Sequence, residues 1–510
     1  MALSTIPPVS TTLQLGAVVL LLGIIIRSLI PRSRLPPGPN PIPILGNLSL
    51  PVPFRPKFEK WAKEYPDVMT LRVLGIPIIV VNTRQSALEV MEKRAAATAG
   101  RPHQIMADEL CGLAYDPVRS NDWDLHRQYR RLFSSVLGPR AVQAYWGTQT
   151  RQMHRAALET LGAPDRHMEF IRRAVADIAF QIAYGIEIES YDHPMVKSAN
   201  EELRIVERVV VPGNFIVDII PFLRYLPTWF PGAGFKKQAA EWRAHIDATR
   251  NMPYDAVKAD IASGSSKSCL AVAMIEHDTE SKKDDKYGEN LIKWTCASVY
   301  GGGADTSVAA LQSFLAAMVM YPEVQFKAQV ELDRVVGRDR PPTLEDRELL
   351  PYCNAIVEEV LRWQPVATLG LPHSMVNDEI YNGWLLPKGA NVLPNVWAMT
   401  RDERDFPQGD KFMPERYLTP EGKTKEELPG RQIPLLFGFG RRICPGWQLA
   451  QANLFAGIVA LLWSSTMSVA PGTDIKWIEH PAINHALDFP LQVKPRFPGV
   501  EDVLRSALAE

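Results

Sequence analysis

Phe437-Gly438-Phe439-Gly440-Arg441-Arg442-Ile443-Cys444-Pro445-Gly446 is followed by a long apolar stretch. One cysteine stands on a glycine-rich loop, behind two arginines, just before what reads as a helix. A helix N-terminus carries partial positive charge and unpaired N–H groups, which favour a thiolate over a thiol. Gly440 and Gly446 let backbone approach a bulky planar cofactor. Pro445 suits a first helical turn, where its missing N–H costs nothing. A lone cysteine is more often a small buried hydrophobe. The context of Cys444 points instead to a metal-bound thiolate.

Upstream, Leu291–Met320 reads as a long helix, apolar on nearly all sides and hence buried. Its middle is Gly301-Gly302-Gly303-Ala304-Asp305-Thr306-Ser307. Each glycine inside a helix costs about 1 kcal/mol relative to alanine, so this run needs a reason. A loop or kinked contact is the usual one, yet no cluster of prolines or polar residues flanks it. The functional alternative is that Gly302 and Gly303 open a groove over a flat cofactor. A local distortion would then turn Asp305 and the Thr306 hydroxyl toward bound oxygen.

Between these stretches lies Glu359-Val360-Leu361-Arg362, on a helical segment 354–363. Its i, i+3 spacing puts both charges on one face, a pair worth about 0.2–0.5 kcal/mol when exposed. Pro414-Glu415-Arg416-Tyr417 follows, and Trp384-Leu385-Leu386-Pro387-Lys388-Gly389 suggests a small strand-rich portion between helical blocks.

The 510 residues show no linker-like block and no internal repeat, which favours one large catalytic domain, 51–510. Net charge is −1, from 56 basic and 57 acidic residues, which argues against a nucleic-acid binder. Cys111, Cys269, Cys296, Cys353 and Cys444 lie far apart, as reduced thiols facing the cytosol would. No P-loop and no flavin or nicotinamide fingerprint is present, so redox work would draw electrons from a partner. Leu13–Ile30 is largely apolar. A helix of that length rises about 27 Å, close to the thickness of an endoplasmic-reticulum bilayer. Arg27, Arg32 and Arg34 follow its unbroken apolar run, Leu15–Ile26, with no earlier Lys or Arg, so 1–34 reads as a single-pass anchor with the body in the cytosol. A cleaved signal peptide is the rival reading, weakened by the lack of a basic n-region. Residues 35–50, with Pro36-Pro37-Gly38-Pro39-Asn40-Pro41, form a stiff hinge. The apolar stretch Val209–Phe230 is either ordinary core or a surface that dips into the bilayer.

Phe437, Gly440, Arg442, Cys444 and Gly446 fall on the Phe-x-x-Gly-x-Arg-x-Cys-x-Gly pattern of the cytochrome P-450 family, which the chain resembles from the anchor to about Arg496. Gly302, Gly303, Asp305, Thr306 and Ser307 match its oxygen-activation motif. Glu359, Arg362 and Arg416 match its Glu-x-x-Arg and Pro-Glu-Arg elements, with Tyr417 in place of the usual Phe. The resemblance implies a mainly α fold with a smaller β-rich portion (α+β), and haem b with Cys444 as axial ligand. It implies Asp305 and Thr306 as the proton relay, and a buried charge network of Glu359, Arg362 and Arg416 that pins the cysteine loop. Trp123 and Arg127 resemble the Trp-x-x-x-Arg pair that holds a propionate, with Arg442 a further candidate. His373 stands where many members carry arginine, so its propionate role is weaker. The expected pocket draws on residues 103–120, Ala297–Ala304, Val366–Leu371 and Ile483–Leu487. The activity implied is monooxygenation of a lipophilic small organic substrate, by hydroxylation or epoxidation, in secondary metabolism at the endoplasmic-reticulum membrane. Electrons would come from NADPH-cytochrome P-450 reductase, with cytochrome b5 a further candidate partner; Arg127, Arg130, Arg131 and Arg441 are candidate docking contacts. A hydroperoxide isomerase or dehydratase, and a non-catalytic haem sensor or lipid-binding protein, are the alternatives. Neither has a use for Asp305-Thr306.

Overall fold

Helices carry most of the chain, and short strands gather in small sheets, because long apolar-faced runs alternate with brief β-branched ones. The computed structural model describes residues 35–42, 46–47, 54–73, 75–211, 213–281, 287–425, 435–479 and 483–509. The expected anchor, 1–34, lies outside them, as do hinge residues 43–45 and 48–50. The chain divides into two compact units.

The smaller unit takes the chain up to Pro102, Leu369–Met399 and Phe439–Arg441. Helix α1 (Arg55–Glu64) turns Phe58 and Trp61 inward at i, i+3. They pack with Phe54, Met69, Leu71, Val80 and Leu369. Strands β1 (Val68–Val73) and β2 (Ile76–Val81) form an antiparallel pair. The sheet order is β1-β2-β6-β3, with β3 (His373–Ser374) antiparallel and β2 parallel to β6 (Asn391–Pro394). A separate hairpin joins β4 (Glu379–Tyr381) and β5 (Trp384–Leu386). Its turn is Asn382-Gly383, both at positive φ (50° and 81°), the chemistry a tight hairpin requires. The strand-rich portion expected around Trp384–Gly389 is this hairpin.

The larger unit takes His103–Thr368, Thr400–Gly438 and the chain from Arg442 onward. Its principal helices are α2 (Trp123–Leu137), α3 (Trp146–Gly162), α4 (His167–Tyr184), α5 (Pro194–Val210) and α6 (Gly234–Ser263). They continue with α7 (Leu270–Ser281), α8 (Gly288–Met320), α9 (Pro322–Val335), α10 (Pro351–Trp363), α11 (Trp447–Ser464) and α12 (Val500–Ala509). Strand β7 (Ser465–Ser468) pairs with β10 (Gln492–Pro495), and β8 (Trp477–Ile478) with β9 (His485–Ala486). Helix α8 packs against α4, α11 and β9. Among the described residues it is the one helix long and apolar enough to cross a membrane, but 72% of its apolar window is buried, which makes it a core helix. Gly457 of α11 lets the two helices meet closely: a Cβ there would come within 2.9 Å of Leu311.

Candidate active site

Helix α11 begins at Trp447 with Gly446 as its N-cap, so Pro445 precedes the helix and does not sit in its first turn. Gly438 (φ 91°) and Gly440 (φ 58°) supply the left-handed bends of the loop. At Gly440 a side chain is also shut out sterically, since a Cβ would stand 2.6 Å from the Met91 carbonyl oxygen and 2.8 Å from Ala95 Cβ. The Cys444 N–H donates to the Phe437 carbonyl at 2.7 Å, closing the loop on itself. Cys444 is half-buried. Burial pushes its thiol pKa up, opposed by the Gly446 N–H and the positive charge of Arg130. A bound metal cation would favour the thiolate. The other four cysteines are buried free thiols.

Arg442 is buried. Its guanidinium donates to the Ser120 carbonyl at 2.6 Å, lies 3.1 Å from His126 Nδ1, and sits over the Trp123 ring at 5.2 Å. Burial, with Arg130 nearby, pulls its pKa down to about 10. Arg127 turns the other way: its side chain is 76% exposed and pairs with Asp124 of the same helix. The residues α2 brings toward the cysteine loop are Trp123, His126 and Arg130, an i, i+3, i+7 stripe. Arg130 donates to the Ile443 carbonyl at 2.6 Å, so it braces the loop and is not an open docking contact. Sequence matching by Trp-x-x-x-Arg passed over His126; the helical stripe was the signal that could have found it.

Helix α8 runs unbroken through Gly301–Gly303, and the local distortion expected there is absent. The Thr306 hydroxyl donates to the Gly302 carbonyl one turn back, at 2.8 Å. Ala297, Ser298, Gly301, Gly302, Asp305 and Thr306 form the less buried stripe of the helix. Ser307, which matches the motif, is buried on the opposite side. The Asp305 carboxyl pKa is raised by burial, opposed by Arg172, His485 and Arg204.

Glu359 and Arg362 are buried, and their pairing is bidentate: Arg362 Nε to Oε2 at 2.7 Å and Nη2 to Oε1 at 2.8 Å. Arg416 Nε and the Met413 N–H also donate to Glu359, at 3.0 and 2.7 Å. Arg362 further donates to the carbonyls of Thr400, Gly409 and Lys411. The network thus holds the backbone of Thr400–Met413, and these bonds do not run to the cysteine loop as expected. In the smaller unit, His373 is buried in β3 with its Nδ1 2.9 Å from the Thr98 carbonyl oxygen.

The cytochrome P450 family model matches residues 36–493. The chain belongs to the cytochrome P450 family. Among similar P450s, cytochrome P450 monooxygenase 105 of Postia placenta is 36% identical, over 98% of this chain and 96% of that protein. Cytochrome P450 monooxygenase claR of Ampulloclitocybe clavipes is 34% identical, over 98% and 93%. Tryptamine 4-monooxygenase of Psilocybe cyanescens is 35% identical, over 84% and 86%. The chain is accordingly an oxidoreductase with a P450 fold, a haem-thiolate monooxygenase in general type.

The residues present fit a haem. A Cβ added at Gly302, Gly303 or Gly446 would meet nothing within 4 Å, so helix and loop both leave bare surface where a flat ring must approach.

Proposed function

We propose that this P450 binds haem b through the Cys444 thiolate. It inserts one atom of dioxygen into a lipophilic small organic substrate, by hydroxylation or epoxidation. The observation that carries this is that the larger unit holds both a closed Cys444 loop and, on α8, a bare face that bears an acid and an alcohol. Held by the Cys444 thiolate, bound haem would supply the oxygen activation. Gly302 and Gly303 give the ring its approach. Thr306 holds a hydroxyl proton that is released from the Gly302 carbonyl for about 0.5–1.5 kcal/mol. Asp305, whose carboxyl pKa is raised by burial, resupplies it. Arg442 with Trp123, and His373 by resemblance, are the propionate candidates.

Electrons come from a separate NADPH-dependent flavoprotein reductase, with cytochrome b5 as a second donor. The N-terminal segment 1–34 anchors the chain in the endoplasmic-reticulum membrane, facing the cytosol. A second lipid contact is supported by the 215–230 segment. It is only partly core: Val217 is buried, but Phe222 is 71% and Trp229 79% exposed, with Ile216 and Tyr225 also exposed. Apolar rings presented to solvent beside Arg224 suit a membrane interface and the entry of lipophilic substrates.

The test is the spectrum of the reduced, carbon-monoxide-treated protein. It should show the strongly red-shifted Soret band of thiolate ligation, lost in Cys444→Ala. Retention of that band by the variant would remove Cys444 as ligand.

A further inference from the structure

Buried hydrogen bonds and one exposed ion pair tie the stretch 215–230 and the end of α5 to the turn Ile105–Leu110, all within the larger unit. Asp218 Oδ1 accepts the Met106 N–H at 2.8 Å, and Gln104 Nε2 donates to the Val210 carbonyl at 3.3 Å. Gln104 and Met106 are both buried. Arg224 and Glu109 meet nearer the surface. Arg224 Nη1 donates to the two carboxylate oxygens at 2.7 and 3.0 Å, and the side chains are 32% and 36% exposed. Glu109 also lies 3.0 Å from His103 Nε2. His103 and Asp108 line a cavity of about 310 Å³, together with Tyr115, Arg119, Asp122 and Leu125. The Arg224–Glu109 pair therefore stands beside that cavity.

An exposed ion pair is weak in water and screened by salt, so Arg224 can change partner. Its Nη2 donates to the Tyr225 hydroxyl at 2.8 Å, and the guanidinium lies 4.9 Å from the Tyr225 ring centroid. Lys236 Nζ donates to the carbonyls of Arg224 and Leu226 at 2.8 and 2.7 Å, which fixes the backbone that carries Arg224. Phe222, Tyr225 and Trp229 stand exposed around it. From 215 to 237 the basic residues are Arg224, Lys236 and Lys237, and the one acid is Asp218, which is turned in to the Met106 N–H. Exposed rings with a surplus of cations match an anionic bilayer. A guanidinium also grips a phosphate bidentately, as it does a carboxylate.

We propose that Arg224 is the headgroup contact of this surface: on an anionic phospholipid bilayer its guanidinium leaves Glu109 for a lipid phosphate, which frees the Ile105–Leu110 turn beside the cavity to admit ligand. The buried bonds of Asp218 and Gln104 stay and act as the pivot. This rests on the lipid contact proposed for the 215–230 segment.

The test places full-length haem-loaded protein in phosphatidylcholine vesicles and in mixed phosphatidylcholine–phosphatidylserine vesicles. Stopped-flow mixing with 1-benzylimidazole, an iron ligand, follows entry by the red shift of the Soret band. The wild-type rate should rise severalfold with phosphatidylserine. Glu109→Gln has no carboxylate to hold Arg224 and should be fast in both lipids; Arg224→Gln, the second variant, should behave alike. The exchanged pair, Glu109→Arg with Arg224→Glu, should close again and stay slow in both, because its outer carboxylate repels phosphate. A purely structural role for the pair would not produce that pattern. A wild-type rate equal in the two lipids overturns the proposal, as does a phosphatidylserine response kept by Glu109→Gln or by the exchanged pair. Trp229 left unquenched by brominated lipid overturns instead the lipid contact on which the proposal rests.

Discussion

Glu359→Gln should be among the most destabilising conservative changes in this chain. Glu359 accepts four hydrogen bonds, two from Arg362, one from Arg416 and one from the Met413 N–H. The Arg362–Glu359 pair has side-chain exposures of 1% and 0%, so no water can replace a lost partner. The amide keeps the shape but removes the charge and points two donors at guanidinium donors. Breaking a buried pair from one side costs about 3–5 kcal/mol, because the remaining charge stays buried. At about 2 °C per kcal/mol for a large domain, the midpoint of thermal unfolding should fall by roughly 6–10 °C. Arg362→Met should cost more. It strands the carboxylate and also strips donors from the carbonyls of Thr400, Gly409 and Lys411, at about 1–3 kcal/mol for each group left unmet. Glu501→Gln, at the exposed Arg505–Glu501 pair, is the control and should shift by under about 1 kcal/mol. Calorimetry or circular dichroism of the haem-loaded proteins gives all three midpoints. If Glu359→Gln unfolds within a degree or so of Glu501→Gln, the network is not the brace described.

Asp305→Asn should trade activity for stability. The folded-state pKa of Asp305 is raised by burial, so wild-type stability falls as pH climbs from the ordinary carboxyl value through the raised one, and the penalty is complete above it. The variant should therefore gain in unfolding midpoint at pH 8 relative to pH 4, and equal gains at both would refute this. Gly303→Val should fold normally, since its Cβ meets no atom within 4 Å, yet purify with a reduced haem-to-protein ratio; full haem content would show that the bare face is not the ring's. Trp229, 79% exposed, should be quenched by brominated lipid in membranes holding the full chain, and Trp229→Phe should remove most of that quenching.

Much of the site was legible because its chemistry is local. Gly440 and Cys444 are constrained by backbone geometry within a few residues, and the Asn382-Gly383 turn is likewise written in adjacent residues. The errors concern direction and range. Arg127 and Arg130 are equally basic in sequence, but the helical twist of α2 sends one to solvent and the other to the Ile443 carbonyl. Val209–Phe230 is apolar whether buried or exposed, so composition could not separate the two outcomes; tertiary packing leaves Trp229 outside. The local distortion expected at Gly301–Gly303 is absent: the helix is continuous there, with the Thr306 hydroxyl bonded back to the Gly302 carbonyl.

Sequence by itself determined the family, the thiol on its loop, and the acid and alcohol on a glycine-weakened helix. Each depends on residue identity and short spacing, which the chain carries covalently. Only the tertiary structure decided that the Glu359 network braces Thr400–Met413, that His126 and Arg130 of α2 meet the cysteine loop, and that Asp488 pairs with Gln312 of α8. Those pairings join residues far apart in the chain, and burial, helical phase and strand register alone select which of many similar side chains meet.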